Sequence, residues 1–214
     1  MNHEGLKQLI KQLIQTYVAE QETQIPIGVS NRHIHLSQQD FNSLFPGEAL
    51  KMMKWLKQPG EFAAEQTVTV VGYRGQIERV RVLGPCRKET QLEISKTDAK
   101  KLGIDPHIRI SGDLLNTPGI KLKTDAGEMD LKQGVIIAKR HIHMPPYVAK
   151  NLQVIDGESV SVQIKTHERP LIFQDCLIRV GDNFELEMHI DVDEANAANV
   201  GKNTFATIIK QSQV

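Results

Sequence analysis

Short runs of alternating apolar and polar residues cover most of the chain and predict a structure built mainly from β-strands. Val68 and Val70 alternate with threonines in one run, and Val80 and Val82 flank an arginine in the next. Such alternation places every second side chain on one buried face of a sheet. The short spacing between runs favours barrels or sandwiches over βαβ units.

Helical signals are few in the body of the chain. One helix is predicted to begin at Ser37, whose hydroxyl can cap it with Asp40 as the partner in a capping box, and to end before Pro46. A second helix is predicted to begin at Pro146, because proline is favoured in a first helical turn. Short helices of this kind would cap the sheets.

The first 24 residues carry a different pattern, in which apolar residues recur at helical spacing. We therefore predict that residues 1–24 form an amphipathic helix followed by a polar tether. This helix either docks on its own domain or binds a partner, and the sequence leaves both alternatives open. Its apolar stripe consists of Leu6, Leu9, Ile10, Leu13, Ile14, Tyr17 and Val18.

The tetrapeptide Arg-His-Ile-His occurs at residues 32–35 and again at residues 140–143. In each copy an apolar strand precedes it, and a predicted helix, a strand that begins with glutamate and a closing segment follow in the same order. This order predicts two copies of one supersecondary unit. The first copy is assigned to residues 25–135 and the second to residues 136–214.

The closing segments of the two copies, QLEISKTDA and EMHIDVDEA, align without a gap. The alignment sets Glu93 against His189, which are both residues that can bind a metal. It also sets Asp98 against Glu194, so that a carboxylate occupies the same place in both copies.

The histidines of each tetrapeptide are two residues apart, so on a strand both imidazoles point to the same face. Two imidazoles leave a tetrahedral metal in need of a third ligand, which the aligned closing segments supply. Nitrogen and oxygen donors with open positions suit a catalytic zinc, although iron, manganese and nickel also fit such donors. Grouped by copy, the predicted ligands are His33, His35 and Glu93, and His141, His143 and His189, and the sequence leaves open which metal each third ligand serves.

Arg87 lies six residues before Glu93, whereas the corresponding place in the second copy is Asn183. A guanidinium beside a metal site is a suitable fork for phosphate or carboxylate, and the alternative is a surface salt bridge. Arg32 and Arg140 alternate away from the histidines on their strands. We therefore expect these two arginines to pair with carboxylates behind the sheet.

Composition excludes several classes of function. The formal net charge is +0, so no basic field is present to gather nucleic acid. No apolar run approaches the roughly 18 residues of a membrane span, and the N-terminus lacks the apolar core of a signal peptide. Cys86 and Cys176 lie far apart and outside any metal-binding spacing, which indicates reduced thiols and a cytoplasmic chain.

From Ile25 onward the chain resembles the PduL-type phosphate propanoyltransferases. The resemblance rests on the motifs VSNRHIHLS, QPGEFAAEQTV, LGPCRKETQLEIS, AKRHIHMPP and LEMHIDVDEANAA, which occur in the family's order. It implies two small β-barrels with short capping helices and a two-zinc site at their junction. It also implies that the first strand, residues 25–31, crosses into the second barrel. Cys86 departs from the pattern, which has an aliphatic residue at this place.

The resemblance implies that propanoyl-CoA or acetyl-CoA reacts with phosphate to give an acyl phosphate and coenzyme A. In this reading Arg87 and one zinc hold phosphate, the second zinc stabilises negative charge, and no protein nucleophile is needed. The contacts implied for coenzyme A are Ser30, Lys54, Arg81, Leu83 and Asn196.

Two other functions fit the histidines. A two-metal zinc hydrolase would attack a small ester or amide, but it leaves Arg87 beside only one ligand set unexplained. A barrel that merely stores metal would need neither Arg87 nor open coordination.

The resemblance also implies a role for the N-terminal helix. In such families a helix of this kind directs the enzyme into the lumen of a bacterial microcompartment for propanediol or ethanolamine degradation. A shell or cargo protein, or a second copy of the chain in a homo-oligomer, would then cover the apolar stripe.

Overall fold

The computed structural model describes residues 5–7, 10 and 24–209. The predicted N-terminal helix falls mostly outside these residues, so it stays a prediction. Within the described part of the chain, no helix has the length and apolar character needed to cross a lipid bilayer.

Between residues 24 and 209 the chain forms fifteen β-strands and four short α-helices. The strands are β1 (Ile25–Ser30), β2 (His33–Ser37), β3 (Met52–Trp55), β4 (Phe62–Val71), β5 (Gln76–Arg87), β6 (Gln91–Glu93), β7 (Ile108–Arg109), β8 (Ile120–Lys123), β9 (Glu128–Leu131), β10 (Val135–Ala138), β11 (His141–Met144), β12 (Ser159–Ile164), β13 (Leu171–Val180), β14 (Glu187–Asp191) and β15 (Phe205–Ile209). The helices are α1 (Gln38–Leu44), α2 (Lys96–Leu102), α3 (Pro146–Leu152) and α4 (Val192–Ala197).

The strands form two sheets, which confirms the prediction of a mainly β fold. Six strands close into a barrel in the order β1-β14-β11-β13-β12-β15. The other nine form a sheet that curls into a half-barrel, in the order β7-β10-β6-β2-β5-β4-β8-β9, with β3 paired to β4.

The two copies exchange their leading strands. Strand β1 of the first copy pairs in parallel with β14 of the barrel, with Gly28 beside His189. Strand β10, which leads into the second copy, pairs in parallel with β6 of the other sheet, with Ile136 beside Glu93. Each Arg-His-Ile-His segment therefore follows directly after a crossing from one sheet to the other, at the junction between them.

Each sheet encloses its own hydrophobic core. Phe41, Leu92 and Leu122 are among the buried residues of the first core, and Ile142 and Met188 are among those of the second. Phe41 comes from helix α1, and the other four come from buried strand positions. Two separate cores leave the junction free for polar groups.

The helix starts agree with the predictions. Ser37 caps α1, where its Oγ accepts a hydrogen bond from the Asp40 backbone N–H at 3.1 Å. The predicted capping box is closed through Thr90 instead of directly, because the Ser37 N–H donates to Thr90 Oγ1 at 2.9 Å and the Thr90 hydroxyl donates to Asp40. Helix α3 begins at Pro146, as expected.

The backbone shows the duplication at a place where the side chains do not. The alignment that sets Glu93 on His189 also sets Arg79 on Asp175, and these dissimilar residues have φ angles of 57° and 56°. Positive φ is uncommon outside glycine, so two matching cases on β5 and β13 indicate one conserved strand geometry in both copies.

Candidate active site

Antiparallel pairing places each predicted third donor directly across from a histidine. His33 on β2 lies opposite Glu93 on β6, and His141 on β11 lies opposite His189 on β14. His35 shares the face of His33 because the two are separated by one residue. The ligand atoms of these three residues, which we call the first cluster (His33, His35 and Glu93), all lie within 4.8 Å of one another.

The second cluster consists of His141, His143 and His189. Its ring centroids are 4.7 Å apart for His141 and His143, 5.0 Å for His141 and His189, and 4.9 Å for His143 and His189. The three rings of the second cluster are therefore in mutual contact.

A backbone carbonyl fixes the ring orientation of one histidine in each cluster. His33 Nδ1 lies 2.9 Å from the Asn31 carbonyl oxygen, and His141 Nδ1 lies 2.8 Å from the Lys139 carbonyl oxygen. Because a carbonyl oxygen only accepts, each Nδ1 carries the hydrogen and donates it. Each Nε2 is then the nitrogen with a lone pair for a metal.

Several buried ring nitrogens have no hydrogen-bond partner. In residues 24–209, buried side-chain nitrogen or oxygen atoms without a hydrogen bond are found only on histidines of the two clusters: His35 Nδ1, both nitrogens of His143, and His189 Nε2. Buried polar atoms are normally satisfied. Imidazole nitrogens are donors that zinc prefers, so the residues of both clusters fit the metal.

Burial keeps three of these imidazoles neutral. It lowers the pKa of His35 to about 2, and the charges of His33 and Arg87 act in the same direction. Burial also lowers the pKa of His141 to about 4 and that of His143 to about 3, with neighbouring histidines adding to the effect. A neutral imidazole is the form that binds a metal.

The pair across β2 and β6 behaves differently. Burial lowers the pKa of His33, but the Glu93 carboxylate and the hydrogen bond to Asn31 outweigh it, so the pKa is raised overall. Burial raises the pKa of Glu93, but the neighbouring histidines and Arg87 outweigh it, so the pKa lies well below its usual range. Glu93 Oε2 lies 3.5 Å from His33 Nε2. The carboxylate thus favours the protonated form of His33, and the neighbouring cations favour the ionised form of Glu93.

Arg87 belongs to a network that reaches the first cluster. Its Nη2 donates to Glu61 Oε1 at 2.8 Å and its Nη1 donates to Ser111 Oγ at 3.1 Å. Gln91 Nε2 donates to the same Ser111 Oγ at 2.8 Å and to Glu93 Oε1 at 2.6 Å. The arginine therefore forms an ion pair, but within the wall of the site and linked to a predicted ligand.

A cavity of about 680 Å³ lies at the junction of the sheets, and both clusters and Arg87 line it. Four of the residues predicted to contact coenzyme A, Ser30, Lys54, Arg81 and Leu83, line the same cavity. The Arg81 guanidinium also donates to two backbone carbonyls of β4. The volume is within the range of small-molecule sites.

Asn196 is not brought to this cavity. It lines a separate depression near α2 and α4, together with Arg74, Lys96 and Lys100. Its predicted contact with coenzyme A stays a prediction.

The prediction for the two tetrapeptide arginines is confirmed. Arg32 Nε lies 2.9 Å from Asp98 Oδ2, and Arg140 Nε lies 2.5 Å from Glu194 Oε1. The two carboxylates are the pair that the duplication aligned. Each arginine thus ties a histidine strand to the start of the helix that follows the third donor.

Sequence reasoning missed several residues of the cavity wall. Arg179 lies beside His143 in the sheet register, and the Phe184 ring stacks on His143 with centroids 4.3 Å apart. Glu187 also lines the cavity. The duplication could have indicated two of them. It aligns Arg179 with Leu83, a predicted contact of coenzyme A, and it aligns Glu187 with Gln91, which lies two residues before the predicted ligand Glu93.

Comparisons with known proteins point to one family. The pattern of the phosphate propanoyltransferase family matches residues 26–201. A phosphate propanoyltransferase of Shewanella putrefaciens is 52% identical over 200 residues, which cover 94% of this chain and 93% of that protein. One of Levilactobacillus brevis is 50% identical over 210 residues, covering 98% of this chain and 100% of its own. One of Salmonella typhimurium is 50% identical over 205 residues, covering 95% and 98%.

Proposed function

Because the chain belongs to the phosphate propanoyltransferase family, we propose that it transfers an acyl group from coenzyme A to inorganic phosphate. The phosphate oxygen forms a bond to the thioester carbon, the carbon–sulfur bond breaks, and coenzyme A leaves as its thiol or thiolate. Propanoyl-CoA is the substrate suggested by the relatives' name, and acetyl-CoA is a shorter one of the same chemistry.

One observation carries the proposal: Arg87 and both histidine clusters line a single cavity between the two copies. We assign one zinc ion to each cluster, giving two per chain. The buried imidazole nitrogens without a hydrogen bond support this assignment. When bound, zinc would supply Lewis-acid stabilisation of negative charge on the thioester oxygen or the departing sulfur.

The residues of the chain bind and orient the two substrates. Arg87 offers a guanidinium fork to inorganic phosphate, with Glu61 and Ser111 fixing its plane. Lys54 is suited to a phosphate of coenzyme A, and Leu83 is suited to the pantetheine arm. Bringing two anionic substrates together in one geometry supplies much of the rate enhancement in such a transfer.

The products distinguish this proposal from a two-metal hydrolase. The enzyme is incubated with propanoyl-CoA and phosphate, and acyl phosphate is trapped with hydroxylamine while free thiol is measured. Acyl phosphate equal to the coenzyme A released supports the transfer. Free acid in its place, formed at the same rate without phosphate, would establish the hydrolase.

Metal content tests the two-zinc assignment. We expect two zinc ions per chain in the purified protein, and a loss of about one in His33→Ala or His141→Ala, since each cluster would keep only two ligands. His107, which is exposed and distant from the clusters in sequence, provides the control His107→Ala. Full activity and full zinc content in a cluster variant would contradict the assignment.

We also place the enzyme inside a bacterial microcompartment, with residues 1–24 as the segment that a shell or cargo protein binds. The support is the apolar stripe in the sequence, which the proposed chemistry does not use. The same stripe would serve a homo-oligomer if copies of the chain bind one another.

A further inference from the structure

Glu187 is a partly buried carboxylate beside the second cluster, and the proposed reaction assigns it no role. It begins β14 and lies opposite His143 in the sheet register. Because it precedes His189 by two residues, both side chains are on the same face of the strand. Its side chain is only 12% exposed. A carboxylate is rarely buried to this degree without a charged or metal partner.

The position of Glu187 relative to the second cluster repeats that of Glu93 in the first. Glu187 Oε2 lies 3.1 Å from His189 Nε2, and Glu93 Oε2 lies 3.5 Å from His33 Nε2. In both clusters a carboxylate oxygen therefore lies beside the Nε2 atom of a predicted metal ligand.

The neighbouring strand leaves room for this carboxylate. A Cβ atom at Gly28 on β1 would lie 2.8 Å from Glu187 Cδ and 3.1 Å from both of its oxygens. Gly28 has no left-handed φ that would by itself require glycine. Glycine at position 28 therefore leaves the space that the Glu187 carboxylate occupies.

The duplication indicates why the second cluster has a carboxylate at this position. At the two aligned positions the first copy has Gln91 and Glu93, and the second has Glu187 and His189. Each copy thus places one carboxylate on this face, at alternate positions. We propose that Glu187 is the carboxylate of the second cluster, facing its metal and balancing its charge. This inference rests on the proposed two-zinc site.

Lys57 provides the competing explanation. Its Nζ lies 3.2 Å from Glu187 Oε1 and donates to the Leu186 carbonyl oxygen at 3.2 Å. Glu187 could therefore be a structural anchor that ties the segment after β3 to β14. The two roles use different oxygens of one carboxylate, and they differ in what removal of the lysine should do. A metal-facing carboxylate keeps its function without Lys57, whereas an anchor loses it.

The experiment compares zinc affinity in Glu187→Gln and Lys57→Met. Both zinc ions are titrated against a chromophoric chelator, and the total is checked by elemental analysis. We expect Glu187→Gln to lower the affinity for one of the two zinc ions by about 10- to 100-fold. Lys57→Met should leave the affinity for both zinc ions unchanged, or should increase the affinity for the ion that Glu187→Gln weakens. Glu185→Gln, which removes a charge from an exposed residue two positions earlier, should match the wild type.

Two results would overturn the inference, and they differ from a failure of the proposed function. If Glu187→Gln holds both ions as tightly as the wild type, Glu187 does not face the metal. If Lys57→Met and Glu187→Gln weaken zinc alike, Glu187 is an anchor. A wild-type protein that binds fewer than two ions would instead refute the two-zinc site, and with it this role of Glu187.

Discussion

At the scale of single residues, the cluster histidines link metal binding to folding. Folding without metal buries neutral imidazoles whose pKa values lie at about 2 to 4, whereas an unfolded histidine titrates near pH 6.5. Between these folded pKa values and pH 6.5, the unfolded chain therefore binds protons at these histidines and the folded chain does not. Zinc occupies the same lone pairs, and its binding free energy offsets this penalty.

The metal-free protein should consequently lose stability as the pH falls from 7.5 to 5.5. His35, His141 and His143 all have lowered pKa values, so the stability they contribute is complete above pH 6.5 and declines below it. His33 has a raised pKa and acts in the opposite direction, which offsets part of the effect. Urea denaturation of the chelator-treated protein measures this. His141→Ala should reduce the pH dependence, and a midpoint that is constant between these pH values would contradict the prediction.

Arg87 should act on phosphate without affecting metal. Its guanidinium donates to Glu61 and Ser111 but contacts none of the predicted ligands directly. Losing one or two charge-assisted hydrogen bonds, at about 1.5–3 kcal/mol each, should raise the KM for phosphate in Arg87→Ala by at least 10-fold. Zinc content should stay at the wild-type value.

Steady-state kinetics with phosphate varied, together with zinc analysis, measures both quantities. The exposed neighbour provides the control Lys88→Ala, which should keep the wild-type KM. An Arg87→Ala protein that loses zinc but keeps its KM for phosphate would reverse the assignment of Arg87 to substrate.

At the scale of elements, β1 contributes to the site through the side chain that it lacks. Gly28→Ala would place a Cβ against the Glu187 carboxylate, which is the end of a flexible side chain and can move away. We expect the zinc ion of the second cluster to bind more weakly, with little change in the free energy of unfolding. Chelator titration and urea denaturation measure the two effects. Val29→Ala, at an exposed position of the same strand, should change neither.

Strand periodicity and the duplication were sufficient to predict the two clusters. They placed Glu93 and His189 as third donors, and the register confirms that each lies across from a histidine. They were not sufficient for Glu61 and Lys57, which lie near the connection between β3 and β4. That connection has no counterpart with a recognisable pattern, so nothing in the sequence indicates which strand its side chains face.

The periodicity of the sequence could not predict which strands pair with each other. Alternation shows which face of a strand is buried, but not which strand lies beside it, because the partners of β1 and β10 are distant in sequence. Only the resemblance to a known family implied a crossing of residues 25–31. Asn196 shows the same difficulty at a single position, since a residue after the second cluster in sequence lies in a different depression.

At the scale of the whole molecule, the N-terminal segment should be separable from catalysis. Residues 1–24 precede β1, and no predicted ligand or substrate contact lies among them. Deleting residues 1–20 should leave specific activity and zinc content unchanged while abolishing co-purification with microcompartment shells. Replacing Ile10 and Leu13 by Glu should have the same effect as the deletion, because both positions are in the middle of the apolar stripe. A truncated enzyme that is unstable, or that still enters shells, would contradict this role.

The exchanged strands bear on the origin of the site. A chain with only one copy of the unit could form the same architecture as a twofold dimer, in which each subunit lends its leading strand to the other. Symmetry would then give that ancestor two identical metal sites. Joining the copies in one polypeptide removes this constraint, so that Arg87 can stand beside the first cluster while the aligned position of the second copy holds the neutral Asn183. The two sites of a fused chain can therefore take different roles, whereas the two sites of a symmetric dimer cannot.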